Sequence, residues 1–146
     1  MIYLDIDGVL ILENENDASK LRERGEHVAC IANRLFMPIV ISSQRRISWD
    51  VFQVIEAAGL LEHTIVHPEL WRTPLRLENP DDNLSIRGQE IDAHRHAMGI
   101  GPHLIIDDSP VLASQTHLAI DPSIGLDHPD RDRALALFDD SVWTVS

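Results

Sequence analysis

The sequence predicts an α/β domain of three layers, with a central parallel sheet of about five strands covered by helices on both faces. Three observations lead there. The apolar runs at 2–4, 39–41 and 104–106 are continuous rather than alternating, as strands buried on both faces of a parallel sheet require. Stretches with helical spacing separate these runs throughout the chain. Acids or hydroxyls stand directly after the strands, so polar chemistry collects at one end of the sheet.

The first strand, Ile2 to Leu4, is too short for a helix and ends at Asp5 and Asp7, with Gly8 allowing a tight backbone path beside them. Residues 8–16 are irregular and form a small hairpin or flap. Asp17 or Ser19 caps a helix over 18–36, where Leu21, Val28, Ile31, Ala32 and Leu35 recur at helical spacing; Gly25 weakens it and Pro38 ends it. Ile39-Val40-Ile41 is β-branched throughout, reads as the second strand and runs into Ser42-Ser43. A helix over 48–58 presents Val51, Phe52, Val54 and Ile55 and stops at Gly59.

Residues 64–66 read as a short third strand. The three prolines Pro68, Pro74 and Pro80 exclude a continuous helix over 67–83, leaving a long loop that carries Trp71, Arg72 and Arg76. A helix over 84–98 follows, capped by Asp82 or Asn83 and ended by Gly99, with Leu84, Ile91 and Met98 on its core face and Arg87 in its first turn. The fourth strand, 104–106, ends at Asp107-Asp108, and Ser109-Pro110 starts a short helix over 111–113. A fifth strand at 118–120 ends at Asp121. Asp127 or His128 caps a last helix with Pro129 at its first position and Leu135, Leu137 and Phe138 inside.

At 146 residues, 1–146 is expected to be one domain with a real core. The net charge of −12 argues against a general nucleic-acid or acidic-membrane binder. The single Cys30 excludes an internal disulfide, and the opening apolar run is broken by acids well short of a signal core or membrane span, so a cytoplasmic protein with no membrane association is expected. Eight histidines invite a zinc reading, but His94 and His96 are two apart on a helix and share no face, so they are expected at the surface. Asp121 and Asp127 are expected as turn and cap residues.

Collected at one sheet edge are Asp5 and Asp7 after the first strand, Ser42 and Ser43 after the second, and Asp107 and Asp108 after the fourth. Carboxylates that crowded suppress one another's ionisation, and a hard divalent cation with oxygen ligands, most simply Mg²⁺, resolves the conflict.

These residues carry a resemblance. Asp5-Ile6-Asp7-Gly8-Val9-Leu10 resembles the first motif of the haloacid dehalogenase-like (HAD) phosphohydrolase superfamily, Ser42 the second, and Ile105-Ile106-Asp107-Asp108 the fourth. The third motif is a lysine or arginine near the start of the helix before the fourth strand. The only lysine, Lys20, lies in another element, so Arg87 is the match. Ser42-Ser43-Gln44-Arg45 and Arg87-Gly88-Gln89-Glu90-Ile91 are similar to the small, nearly capless HAD domains of RNA-repair proteins and related phosphatases.

The resemblance implies a Rossmann-like fold and a Mg²⁺-dependent phosphomonoester hydrolase working through an aspartyl-phosphate. Asp5 would be the nucleophile and Asp7 the acid and base, with Ser42 and Arg87 on the phosphoryl group. It further implies Asp5, Asp107, Asp108 and the Asp7 main chain around the metal, and Ser43 and Arg45 beside Ser42 and Arg87 in substrate binding. The alternative is a non-catalytic HAD-like phosphate-binding or regulatory module, whose signature would be a missing nucleophile or metal acid. The expected substrate is a phosphorylated small molecule or a nucleic-acid end at an open site, the acidic balance favouring the small molecule, with no obligate protein partner. Trp71, Arg72 and Arg76 either meet that substrate or pin their loop to the core.

Overall fold

The computed structural model describes residues 1–99 and 101–138, so the last eight residues of the expected 1–146 domain lie outside the described residues. Four strands, β1 (Ile2–Leu4), β2 (Ile39–Ile41), β3 (Leu104–Asp107) and β4 (His117–Ala119), form one sheet in the order β2-β1-β3-β4. Every pairing is parallel, with Ile2 opposite both Ile39 and Leu104. The helices are α1 (Ala18–Leu35), α2 (Val51–Ala57), α3 (Ile86–Met98) and α4 (His128–Ala136), with short 3₁₀ turns at Gln44–Ile47 and Leu61–His63.

Alternate strand residues face opposite layers. Ile2, Leu4, Ile39, Ile41, Leu104 and Ile106 pack with Val28 and Ile31 of α1, Val51 and Ile55 of α2 and Ala134 of α4. Tyr3, Val40 and Ile105 face the other way onto Ile91 of α3. The result is the three-layer α/β architecture, with the acids and hydroxyls at the carboxyl ends of β1, β2 and β3.

The expected strand at 64–66 is reduced to a single parallel bridge between Thr64 and Ile39, and a second bridge joins Arg72 to Ile41. The Ile41 N–H donates to the Trp71 carbonyl and the Thr73 N–H to the Ile41 carbonyl, both at 3.1 Å, so the 67–83 loop returns to cover the β2 edge. With Pro68 between the two bridges, no continuous fifth strand forms. Residues 111–113 are irregular and lead into a turn at Ala113 rather than forming a helix, and β4 begins one residue earlier than expected. The 8–16 segment is no extended flap: Val9 and Leu10 are fully buried, and the N–H groups of Val9, Leu10 and Ile11 all turn back onto the Ile6 carbonyl.

Helix termini follow side-chain capping. Asp17 caps α1 through the Ser19 N–H. Ser85, rather than Asp82 or Asn83, caps α3 by accepting the Gly88 N–H at 3.0 Å, while its hydroxyl donates to the Pro110 carbonyl at 2.7 Å. Starting later leaves Leu84 exposed and Met98 only half-buried, so Ile91 is the apolar residue α3 buries. Asp127 caps α4 in a reciprocal box with Asp130, which moves Pro129 to the second helical position; Ala134 rather than Leu137 is the buried residue there. Asp121 accepts the Ser123 N–H and hydroxyl in a turn, as expected.

Gly25 has a packing reason: a Cβ there would lie 1.9 Å from the Ala58 carbonyl oxygen, so a bare helix face lets α1 meet the end of α2. His94 is buried, contrary to the surface expectation, because both ring nitrogens have partners. Nε2 donates to the Leu70 carbonyl at 2.8 Å, which leaves Nδ1 to accept the Tyr3 hydroxyl at 2.9 Å. Burial holds His94 below the ordinary histidine pKa. Among the described residues no helix is long and apolar enough to cross a membrane.

Candidate active site

Asp5 leaves β1 with its N–H still donating to the Ile106 carbonyl at 3.0 Å, which ties the first acid to the strand that carries Asp107. Both side chains are buried, and with the half-buried Asp108 they offer carboxylate oxygens within 4.8 Å of one another. Arg87 closes the cluster from α3: one guanidinium nitrogen lies 2.6 Å from Asp107 Oδ2 and 3.4 Å from Asp5 Oδ1. The arginine predicted from helix position thus stands against both acids.

The arrangement of α3 is built from small contacts. A Cβ on Gly88 would lie 2.7 Å from the Leu112 nitrogen, so glycine is what lets the helix approach the turn after β3. Gln115 bridges the two, donating to the Gly88 carbonyl and accepting the Leu112 N–H, both at 2.8 Å.

Three carboxylates around one arginine leave an excess of negative charge. Burial, the Asp107 charge and the Asp108 side chain push Asp5 up to about 8, against a partial offset from Arg87. Burial raises Asp107 as well, while Arg87 and the Ser109 N–H at 2.8 Å hold it down. Without a cation the Asp5 and Asp107 carboxylates, both pushed up, retain a proton between them. Burial works against the Arg87 cation, but the Asp107 and Asp5 carboxylates outweigh it and hold its pKa above the ordinary value. An all-oxygen donor set that keeps a proton near neutrality fits a hard divalent cation. Gly8 fits the same picture: at φ +84°, a Cβ there would lie 2.3 Å from Asp108 Oδ2.

Asp7 stands apart from this cluster. Its carboxylate is half-exposed and accepts two hydrogen bonds at 2.9 Å from Arg45, one from Nε and one from the terminal nitrogen. The two residues share the lining of a cleft of about 530 Å³ with Gly8, Glu13, Asp108 and Pro122. Ser42 is fully buried at the end of β2, its N–H donating to the Leu4 carbonyl at 3.1 Å, and its hydroxyl has no partner among the described residues. Ser43 caps the 3₁₀ turn that carries Arg45, accepting that residue's N–H at 3.2 Å.

The sequence reading missed the residue next to Arg45. Arg46 is buried, pairs with Glu90 of α3 at 2.7 Å, and also donates to the carbonyls of Ser43, Thr73 and Pro74. Three segments therefore meet at one guanidinium: the turn after β2, the 67–83 loop and the helix of Arg87. Burial raises Glu90 above the usual carboxylate range despite the opposing Arg46 charge. The Arg46-Glu90 spacing of 44 residues leaves no local sequence signal for the pair.

Trp71 resolves as a core anchor. It is 1% exposed and packs with Trp49 and Phe52, with the Arg72 guanidinium 4.8 Å over its ring. Arg72 also donates to the Arg46 carbonyl at 2.6 Å, and Arg76 is exposed.

The family model for the HAD domain in Swiss Army Knife RNA repair proteins matches residues 1–131. The chain belongs to that family. The match spans this HAD domain from β1 into α4 and takes in every site residue described above. Membership supports phosphoester hydrolase chemistry of the HAD type, and the acidic cluster suits the metal such domains use. No curated protein and no solved structure matches the HAD domain at a significant level.

Proposed function

We propose that this HAD domain is a Mg²⁺-dependent phosphomonoester hydrolase that works through an aspartyl-phosphate on Asp5 and removes phosphate from nucleic-acid ends. The observation that carries the reading is the buried cluster of Asp5, Asp107 and Asp108 with Arg87 lying against the first two. Membership in a family of HAD domains from RNA-repair proteins moves the favoured substrate from a small metabolite to a nucleic-acid end.

A carboxylate oxygen of Asp5 attacks phosphorus, and the bond from phosphorus to the substrate oxygen breaks. Asp7 gives its proton to that leaving oxygen. It then takes a proton from the water that attacks the aspartyl-phosphate, releasing inorganic phosphate and restoring Asp5. Asp5, Asp107 and Asp108 would hold Mg²⁺, whose charge offsets the repulsion between an anionic nucleophile and an anionic phosphoryl group. Arg87 balances the charge on the phosphoryl oxygens, and the unpartnered Ser42 hydroxyl is available to donate to one of them. The bidentate Arg45 pair holds Asp7 at the cleft; an arriving phosphate competes for Arg45 and frees the carboxyl for proton transfer.

The test is a panel of nucleotides, sugar phosphates and oligonucleotides phosphorylated at the 5′ or 3′ end, assayed with Mg²⁺ and with chelator. Turnover is expected with Mg²⁺ only and is lost in Asp5→Asn; full activity in that variant would sink the mechanism. A folded protein whose melting temperature rises with Mg²⁺ but which hydrolyses no ester on the panel would instead indicate the non-catalytic module.

A further inference from the structure

The Trp49 side chain is 53% exposed, on the segment that joins the Arg45 turn to α2. Its ring stacks on Trp71 at 4.6 Å and 30° and on Phe52 at 5.3 Å and 25°. If those neighbours covered opposite faces of Trp49, they would be separated by nearly the sum of these distances. They are 5.1 Å apart, so both lie toward one side of the indole, and about half of Trp49 stays in solvent.

The surroundings of this open ring differ from the rest of an acidic chain. Segments 43–49 and 70–77, which meet where Trp49 stacks on Trp71, carry Arg45, Arg46, Arg72 and Arg76 and are flanked by Asp50, Glu69 and Glu78; Arg46 is taken up by Glu90 and Arg45 by Asp7, while Arg72 and Arg76 have no acid partner among the described residues. The platform is also placed at the site. Trp71 accepts a hydrogen bond from Ile41 at the carboxyl end of β2, and Trp49 stands four positions after the Arg45 that holds Asp7, no more than about 14 Å of chain away.

We propose that Trp49 is the stacking platform for the nucleobase next to the scissile phosphate, with Arg45, Arg72 and Arg76, and not the buried Arg46, available to the backbone of a phosphorylated single-stranded end. An aromatic face accepts any base, because every base has a π-face, and arginine supplies the charge that an acidic domain otherwise lacks. A repair activity acting on ends of varied sequence needs that tolerance. This assignment rests on the nucleic-acid-end reading above and names the part of the substrate that the phosphate site leaves unread.

The experiment compares kcat/KM for short oligonucleotides whose phosphorylated terminal residue carries a base or is abasic, with ribose and deoxyribose, 5′ and 3′ arms. Trp49→Leu retains apolar cover over Trp71, Trp49→Phe retains a ring, and melting curves check that both fold. The wild type is expected to favour the base-bearing end by about 5- to 100-fold, mostly in KM. Trp49→Leu removes that preference without changing hydrolysis of the abasic end, and Trp49→Phe restores much of it. A preference that survives Trp49→Leu, or is absent in the wild type, overturns the proposal.

If no end is hydrolysed, the phosphatase reading fails on its own terms, and equilibrium binding of the same oligonucleotides decides the stacking question. Binding weakened both by Trp49→Leu and by removal of the base supports the platform, and binding indifferent to either overturns it. A self-association that Trp49→Leu abolishes would assign this face to a second copy of the chain and also overturn it.

Discussion

Replacing Arg46 by methionine removes the guanidinium on which the β2 turn, the 67–83 loop and α3 converge. Three acceptors lose the guanidinium as donor, the carbonyls of Thr73 and Pro74 and the Glu90 carboxylate, while the Ser43 carbonyl keeps the backbone N–H of residue 46 at 3.0 Å. The pair is buried, at 2% and 7% side-chain exposure, so water reaches the abandoned groups poorly. Breaking one side of such a pair costs about 3–5 kcal/mol, because a charge is left without its partner. With an unfolding entropy of about 2.1 cal/mol/K per residue, a chain of 146 residues loses roughly 10–15 °C in melting temperature. Thermal and urea unfolding monitored by circular dichroism measure this directly. The double variant Arg46→Met/Glu90→Leu recovers much of the loss, since it removes the stranded carboxylate. A single variant melting within about 3 °C of wild type, or a double variant no better than the single, would refute the hub.

Two further outcomes follow from the same structure. Gly8→Ala places a methyl 2.3 Å from Asp108 Oδ2 at φ +84°, so stability falls by at least about 1 kcal/mol and half-maximal turnover needs more Mg²⁺; an unchanged Mg²⁺ titration would contradict the tie between Gly8 and Asp108. Burial, helped by Arg95 and the N-terminal ammonium, lowers His103 to about 4, and its Nε2 accepts the Thr116 N–H at 3.0 Å. The unfolded chain therefore binds the proton first, so this contribution is fully present above about pH 6.5 and is lost as pH falls toward 4, by at most about 3 kcal/mol. The raised Asp5 acts with the opposite sign, so the clean measurement is the wild-type stability minus that of His103→Gln across pH 4 to 7; a difference independent of pH would refute the assignment.

What the sequence made legible is whatever lies within a few residues of a strand end. Asp5, Ser42 and Asp107 follow apolar runs that admit little else than buried parallel strands, and Arg87 was located by its place on one helix. Features that depend on distant partners were hidden. Gly25 reads as a weak helix residue until Ala58 is seen against it, and His94 reads as exposed until Tyr3 and Leu70 take its nitrogens. The strand at 64–66 has the right composition, but only Thr64 bridges the sheet there, and the edge is completed by Arg72 beyond Pro68. The two readings left open for Trp71 are decided in the same way: its carbonyl accepts the Ile41 N–H at the β2 edge, which seats the ring in the core beneath Trp49.

The position of β1 inside the sheet has a kinetic consequence. Ile2 pairs with Ile39, 37 positions away, and with Leu104, 102 positions away, so the strand leading into Asp5 is completed by some of the longest-range contacts in the domain. Loop closure must be met before such contacts reward it, which places the joining of β3 to β1 late in folding. Asp5 and Asp107 come together only at that step. Hydrolytic activity in a refolding experiment should accordingly lag behind the recovery of helical signal and report the moment at which the chain is closed on itself.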